Sequence, residues 1–182
     1  MTLDKLLANF YRKNRIPSDG GVNKNNFRIK AFGINLNLPN PKFRKDVTHI
    51  HDIHHILNKC NANWKGEAFI AGWEISTGFW KYFPICIISL WAMAYSLWLH
   101  TKAVLKGFKK GLNNIGVIDL KLSRSELMKL EFDQLINITT KEKTTQIVII
   151  DYLQFLFWVV TSQLIFLFPL ILIITSIIYL KK

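Results

Sequence analysis

Four of the five histidines in this chain fall within seven positions, as His49, His51, His54 and His55. On a helix, His51 and His55 lie one turn apart and about 40° around the axis, with Asp52 about 100° from His51. Ile53 falls on the opposite side of the same helix. One face is therefore apolar, and the other carries imidazoles, which bind metal ions and transfer protons near neutral pH.

Two carboxylates follow on a second predicted helix. The polar segment from Asn58 to Trp64 is typical of a turn, so we expect Glu67 near the start of the next helix and Glu74 on the same narrow arc. Two imidazoles with one or two carboxylates suit zinc, and also iron or manganese. The alternative is that the histidines only form the solvated face of an amphipathic helix.

The order of these residues resembles a family signature over about residues 45–135. The family is that of coenzyme Q (ubiquinone) biosynthesis protein four. The matching positions are His51-Asp52-x-x-His55, eleven residues and then Glu67, Glu74, Thr77-Gly78 and Pro84, with a weaker match from Lys106 to Gly111.

This resemblance implies a mostly helical fold, a bound divalent metal and an apolar site for a prenylated lipid. It implies that the metal ligands are His51, Asp52, His55 and Glu67, with Glu74 as an extra ligand or as a residue that supports the ligands. The ion expected first is Zn²⁺, with Fe²⁺ or Mn²⁺ as alternatives. The implied role is to modify the ring of a prenylated quinone precursor by oxidative removal of its carboxylate, and to gather other quinone-biosynthesis enzymes at the membrane.

Two classes of function compete for this site. In an enzyme, the metal would polarise a ring oxygen or carboxylate, and Glu74 or His54 would move a proton. In a non-catalytic scaffold, the chain would bind the prenyl lipid and organise other enzymes without turnover. An iron-dependent fatty-acid hydroxylase or desaturase is excluded, because it needs further histidine boxes and only His100 lies outside the cluster. A serine hydrolase is excluded because no Gly-x-Ser-x-Gly elbow occurs.

The composition points to a membrane. The 182 residues are 50% hydrophobic and carry a net charge of +12, with lysines spread along the chain and no nucleic-acid motif. We therefore expect membrane lipids as a partner, with no nucleic acid, and leave a homodimer open. Cys60 and Cys86 form no disulfide framework and suit a reducing compartment.

The carboxyl-terminal tail is a predicted transmembrane anchor. Tyr152 to Leu180 contains no charged residue, exceeds the ~20 residues that cross a bilayer, and is followed by Lys181-Lys182. The distribution of lysine and arginine predicts that the rest of the chain lies on the cytoplasmic face of a single-pass protein. The alternative is that the tail forms a hairpin that re-enters the same leaflet. A second uncharged run, Tyr82 to Leu99, is predicted as a buried helix or the wall of a lipid tunnel.

The remaining patterns complete an all-α prediction, with a compact helical domain and a carboxyl-terminal transmembrane helix. We expect an amino-terminal helix and extended arm in 1–45, a helical metal-binding domain in 46–145 and the anchor in 146–182. Within these segments the sequence predicts a helix after Thr2, an extended arm from Phe27 to Leu38, a helix with Asn40 as N-cap and Pro41 as its first residue, and a helix after the capping box Ser123-x-x-Glu126.

Overall fold

The computed structural model describes residues 1–31, 33–141 and 148–180. The predicted boundary between 145 and 146, Phe32 of the predicted arm and the final two lysines lie outside these residues. The described chain is mostly helical with one two-stranded sheet and an apolar carboxyl-terminal helix, which confirms the predicted fold class. In chain order the elements are α1 (Leu3–Asn14), β1 (Asn26–Ala31), β2 (Ile34–Pro39), α2 (Lys42–Leu57), α3 (Trp64–Thr77), α4 (Ile85–Gly111), α5 (Arg124–Lys129), α6 (Phe132–Thr139) and α7 (Ile149–Leu180), with 3-10 turns at Phe79–Lys81 and Val117–Leu120.

The first of two compact units contains Met1–Ala62 and Val117–Thr139. Its main apolar core is formed by Leu3, Ile53, Val117, Leu127 and Leu135. The segment after α4 thus returns to pack on α1 and α2. The backbone N–H of Leu3 also donates to the carbonyl of Leu130 at 2.9 Å.

An antiparallel hairpin replaces the simple extended arm predicted for Phe27 to Leu38. β1 pairs with β2 so that Phe27 faces Leu38 and Ile29 faces Leu36. These four apolar side chains share one face of the hairpin, because side chains alternate between the two faces of a strand. The guanidinium of Arg44 lies 4.0 Å from the centre of the Phe27 ring.

The start of α2 differs from the prediction by one residue. Pro41 is its N-cap, without a side-chain capping bond, and Lys42 is its first residue. Asn40 does not cap the helix because its side chain is used elsewhere. Its amide donates to the carbonyls of Gly21 and Lys24 at 3.1 and 3.0 Å, and its Oδ1 accepts from Arg44 at 2.9 Å.

The second unit contains Asn63–Gly116 and Thr140–Lys182. In it α3 and α4 approach closely because glycines line their contact. A Cβ on Gly107 would lie 1.9 Å from the carbonyl oxygen of Phe69, and one on Gly72 would lie 2.2 Å from that of Val104. The glycines of the basic run from Lys106 to Gly111 therefore serve helix packing.

The uncharged run Tyr82 to Leu99, predicted as a buried helix or the wall of a lipid tunnel, is buried on one side only. The run begins with a turn, enters α4 at Ile85 and continues to Gly111, with a non-helical residue at His100. One side of α4 enters the core of the second unit through Leu90, Met93, Val104 and Phe108. The opposite side leaves Ile87, Trp91, Trp98 and Leu99 exposed.

Within the described residues, one helix is long and apolar enough to cross a membrane. The qualifying segment is Ile149–Pro169, the first part of α7. The helix passes through Pro169 and continues to Leu180. It packs against α4 through Phe155, Trp158 and Val159.

Candidate metal centre

The histidines occupy the last turns of α2, as the helical spacing predicted. His54 and His55 are fully buried, and His51 is half-buried. This end of a helix carries the negative pole of its dipole, which favours a nearby cation. The Phe10 ring of α1 packs on His55 with centroids 5.5 Å apart and helps to fix its orientation.

His51 and His55 are spaced as two ligands of one ion would be. Their Nε2 atoms lie 3.3 Å apart, and the rings meet at 76°. Two nitrogen ligands bound at 2.0–2.1 Å in a tetrahedral site lie about 3.3 Å apart. The same distance suits a hydrogen bond between two neutral imidazoles, one donating and one accepting. The donor chemistry and the spacing both fit a metal.

Glu74 is buried on α3 and held by a hydrogen bond. Its side chain is 2% exposed, and the Ser89 hydroxyl of α4 donates to its Oε2 at 2.8 Å. Glu67 lies in the first turn of the same helix, where the positive end of the dipole favours a carboxylate. Asn63 caps this turn, its side chain accepting from the Gly66 N–H at 2.9 Å.

Two groups of these side chains could hold a metal ion. One is His51, His54 and Glu74, and the other is His51, His55 and Glu67. In each group every residue offers one ligand atom, the histidines from the first unit and the glutamate from the second. His51 belongs to both groups, so the two describe alternative ways of using one histidine. Glu74 and His54, predicted as proton-transfer residues, also have the positions of candidate ligands.

Asp52, a predicted ligand, is in neither group of the described residues. It points elsewhere on α2, where its buried Oδ2 accepts a hydrogen bond from the Tyr11 hydroxyl at 2.8 Å. Burial and the Asp52 carboxylate both raise the pKa of Tyr11, so this hydroxyl stays protonated and donates. Gly20 permits the contact, because a Cβ there would lie 2.7 Å from the Tyr11 hydroxyl oxygen.

His49, the remaining histidine of the cluster, belongs to neither metal group within the described chain. Burial, assisted by the Arg124 guanidinium, lowers its pKa to about 4. This imidazole is therefore neutral at physiological pH. Its position on α2 places it away from the stripe shared by His51 and His55.

Tyr11 and Ser89 are the polar contacts of this region that sequence reasoning missed. Tyr11 lies 41 positions from Asp52, and Ser89 lies 15 positions from Glu74. Ser89 carried a usable signal, because it is a hydroxyl within an otherwise apolar run and needs a partner when buried. Tyr11 gave no such signal. A tyrosine on an amphipathic helix is common in a core, so its hydroxyl did not point to a particular partner.

Comparison with known proteins adds no relative. No family model, curated protein or solved structure matches this chain.

Proposed function

We propose that this chain is a membrane-anchored, metal-dependent protein of ubiquinone-type quinone biosynthesis that acts on or binds a prenylated aromatic precursor. The observation that carries the proposal is the pair of imidazole nitrogens 3.3 Å apart on α2, in a group that also includes Glu67. The resemblance of the His51 to Glu74 order to the coenzyme Q family supplies the substrate class.

In this proposal His51, His55 and Glu67 hold the ion, with zinc expected first. Three protein ligands leave a coordination position for water or a substrate oxygen, as in catalytic zinc sites. The ion would polarise a ring oxygen or carboxylate of the precursor. Buried Glu74, oriented by Ser89, and His54 are the groups that would hold or move a proton beside it.

The membrane part of the proposal rests on α7. A prenylated precursor dissolves in the bilayer, so a tethered site avoids the cost of transferring its apolar chain into water. The proposed topology is single-pass, with the basic bulk of the chain on the cytoplasmic face, since lysine and arginine collect on that side of membranes.

Metal content of purified variants tests the site. His51→Ala should abolish binding whichever group is used, because His51 is common to both. His55→Ala and Glu67→Gln should weaken Zn²⁺ binding by at least about tenfold, as loss of groups around a metal does. If His54→Ala and Glu74→Gln cause the loss instead, the other group is the site. His100→Ala, outside the cluster, is the control, and full metal content in His51→Ala would refute the proposal.

Lipid analysis tests the substrate class. Mass spectrometry of the purified protein should detect a prenylated aromatic compound, and His51→Ala should change the quinone pool of cells that depend on this protein. Bound lipid with no conversion of a supplied precursor would favour the scaffold. A normal quinone pool together with no bound prenyl lipid would defeat both forms of the proposal.

A further inference from the structure

We propose that the first half of α4, Ile85–Leu99, lies in the membrane beside α7 and contacts lipid without crossing the bilayer. The inference rests on the proposed insertion of α7. It assigns the surroundings of an apolar face of α4 that α7 covers only in part.

The face is defined by Ile87, Trp91 and Trp98. These side chains are 37%, 41% and 51% exposed, and they fall within about 40° of one another around the helix. Ile85–Leu99 contains no charged residue. Large apolar side chains collected on one exposed stripe indicate a partner, and indole rings favour the boundary between lipid tails and water.

Contacts with α7 place this face beside the proposed membrane helix, so the bilayer is the partner that we infer for its exposed part. The rings of Trp91 and Trp98 both meet the Phe166 ring edge-on, with centroids 5.9 and 5.4 Å apart. The Trp98 indole N–H donates to Gln163 at 3.1 Å, and the Gln163 amide donates to the Ala94 carbonyl at 3.1 Å. Phe166 belongs to the candidate span Ile149–Pro169. If Phe166 lies in the membrane, the two indoles that touch it lie there as well.

The same segment cannot cross to the other side. The chain before α4 and the chain after it share one core, in which Leu3 and Ile53 pack with Leu127 and Leu135. Both ends of α4 must therefore return to the same face of the membrane. Its length agrees, because at 1.5 Å per residue the uncharged part of the helix reaches about 22 Å, short of the ~30 Å hydrocarbon core.

At the end of the apolar face, α4 loses regular helical geometry for one residue and then becomes lysine-rich. His100 has non-helical backbone angles, φ −142° and ψ 42°. Lysines follow at Lys102, Lys106 and Lys109, which belong in water or among lipid headgroups. The lysines therefore mark the end of the part of α4 that is proposed to contact lipid.

This placement would connect the bilayer to the candidate site. Ser89 lies about 160° around the helix axis from Ile87, on the far side of α4 from the lipid-facing stripe, and it donates to Glu74. A single helix would thus touch lipid on one face and a candidate site residue on the other. A prenylated precursor dissolved in the membrane would need to travel only the width of this helix.

Spin labels on the full chain in phospholipid vesicles test the inference. In a Cys60→Ser/Cys86→Ser background, labels would be placed at Ile87→Cys and Trp91→Cys, with Leu164→Cys reporting on α7 and Lys102→Cys as the aqueous control. Labels at 87, 91 and 164 should collide with dissolved oxygen several-fold more often than with a water-soluble nickel chelate. The label at 102 should show the reverse.

Each of the other outcomes refutes a specific part of this inference. A lipid-exposed label at 164 with water-exposed labels at 87 and 91 refutes this inference and leaves the anchor standing. A water-exposed label at 164 refutes the insertion of α7 and the inference with it. Dipolar broadening between labels at 87 on different molecules, lost on dilution with unlabelled protein, would show that a second copy covers the face and not lipid.

Discussion

Asp52 shows that a predicted metal ligand can also have a partner on another helix. It was predicted as a metal ligand because it adjoins His51 in the family signature, yet its carboxylate accepts from Tyr11. A helical wheel gives the direction of a side chain on its own helix. It cannot show which residue of another helix will meet that side chain, so the His51–His55 pair was predictable and the partner of Asp52 was not.

Tyr11→Phe should destabilise the first unit. The variant removes a donor to a buried carboxylate, and losing such a hydrogen bond costs about 1–3 kcal/mol of unfolding free energy. Chemical denaturation in detergent would measure the loss. Tyr179→Phe, at a highly exposed position of α7, is the control and should leave the midpoint unchanged. Equal midpoints for Tyr11→Phe and the unmodified protein would contradict a stabilising bond.

At the scale of the element, local sequence signals predicted where some helices begin. Contacts between distant residues determine how far the helices extend. The capping box at Ser123 and Glu126 is confirmed, because capping depends on residues three positions apart. The helix predicted to follow is broken, since α5 ends at Lys129 and α6 begins at Phe132. The extent of α4 through its lysines was not predictable, because it depends on packing against the glycines of α3.

Ser123→Ala should weaken α5 by about 1 kcal/mol, the usual cost of losing an N-cap. The Ser123 hydroxyl accepts from the Glu126 N–H at 3.3 Å, and the Glu126 carboxylate accepts from the Ser123 N–H at 2.8 Å. The hydrogen bonds from Ser123 lower the pKa of Glu126. A carboxylate with a lowered folded-state pKa stabilises the fold above its ordinary pKa, and this contribution is lost as the pH falls through the lowered value.

The difference in stability between Ser123→Ala and the unmodified protein should therefore shrink as the pH falls below about 4.5, the ordinary value for this carboxyl. Thermal unfolding at a series of pH values would measure it. Ser18→Ala, at an exposed position outside α5, is the control and should show a smaller and pH-independent effect. A constant difference for Ser123→Ala across this range would mean that the hydrogen bond from the Ser123 hydroxyl to the Glu126 carboxylate at 2.6 Å contributes nothing to stability.

Gly107→Ala should disrupt the contact between α3 and α4. Alanine normally favours a helix over glycine by about 1 kcal/mol, but here its Cβ would lie 1.9 Å from a backbone oxygen that cannot rotate away. The steric clash outweighs the gain in helix propensity. The free energy of unfolding should therefore fall by at least about 1–3 kcal/mol, as for overpacked cores. Denaturation would measure it, with exposed Lys106→Ala as the neighbouring control. A stabilised Gly107→Ala protein would show that the helices do not pack this closely.

At the scale of the whole molecule, the path of the chain was the least predictable feature. Residues 117–139 return to the unit formed by the amino-terminal part, although α3 and α4 separate the two segments. Hydrophobic periodicity indicates which face of α5 or α6 is buried, but not against what. The apolar tail was predictable, because its length and lack of charge alone indicate a membrane-spanning helix, whatever the rest of the chain does.

The shared core makes a prediction about sidedness. If α4 only dips into the membrane, the residues on either side of it must lie on the same face, whereas a crossing α4 would have to separate Leu3 from Leu127 and destroy their packing. In sealed vesicles, Ser18→Cys and Ser125→Cys, each in the Cys60→Ser/Cys86→Ser background, should react with a membrane-impermeant maleimide from the same side. Both positions are exposed, so access reports topology and not burial.

Under the proposed single-pass topology, a cysteine appended after Lys182 should react only from the other side, because α7 would separate it from both. Detergent should make all three cysteines reactive, which controls for sites hidden by folding. Protection of Ser125→Cys under conditions that label Ser18→Cys would mean that α4 crosses the bilayer. Labelling of the appended cysteine from the same side as the other two would mean that α7 re-enters its own leaflet, and the single-pass anchor would be wrong.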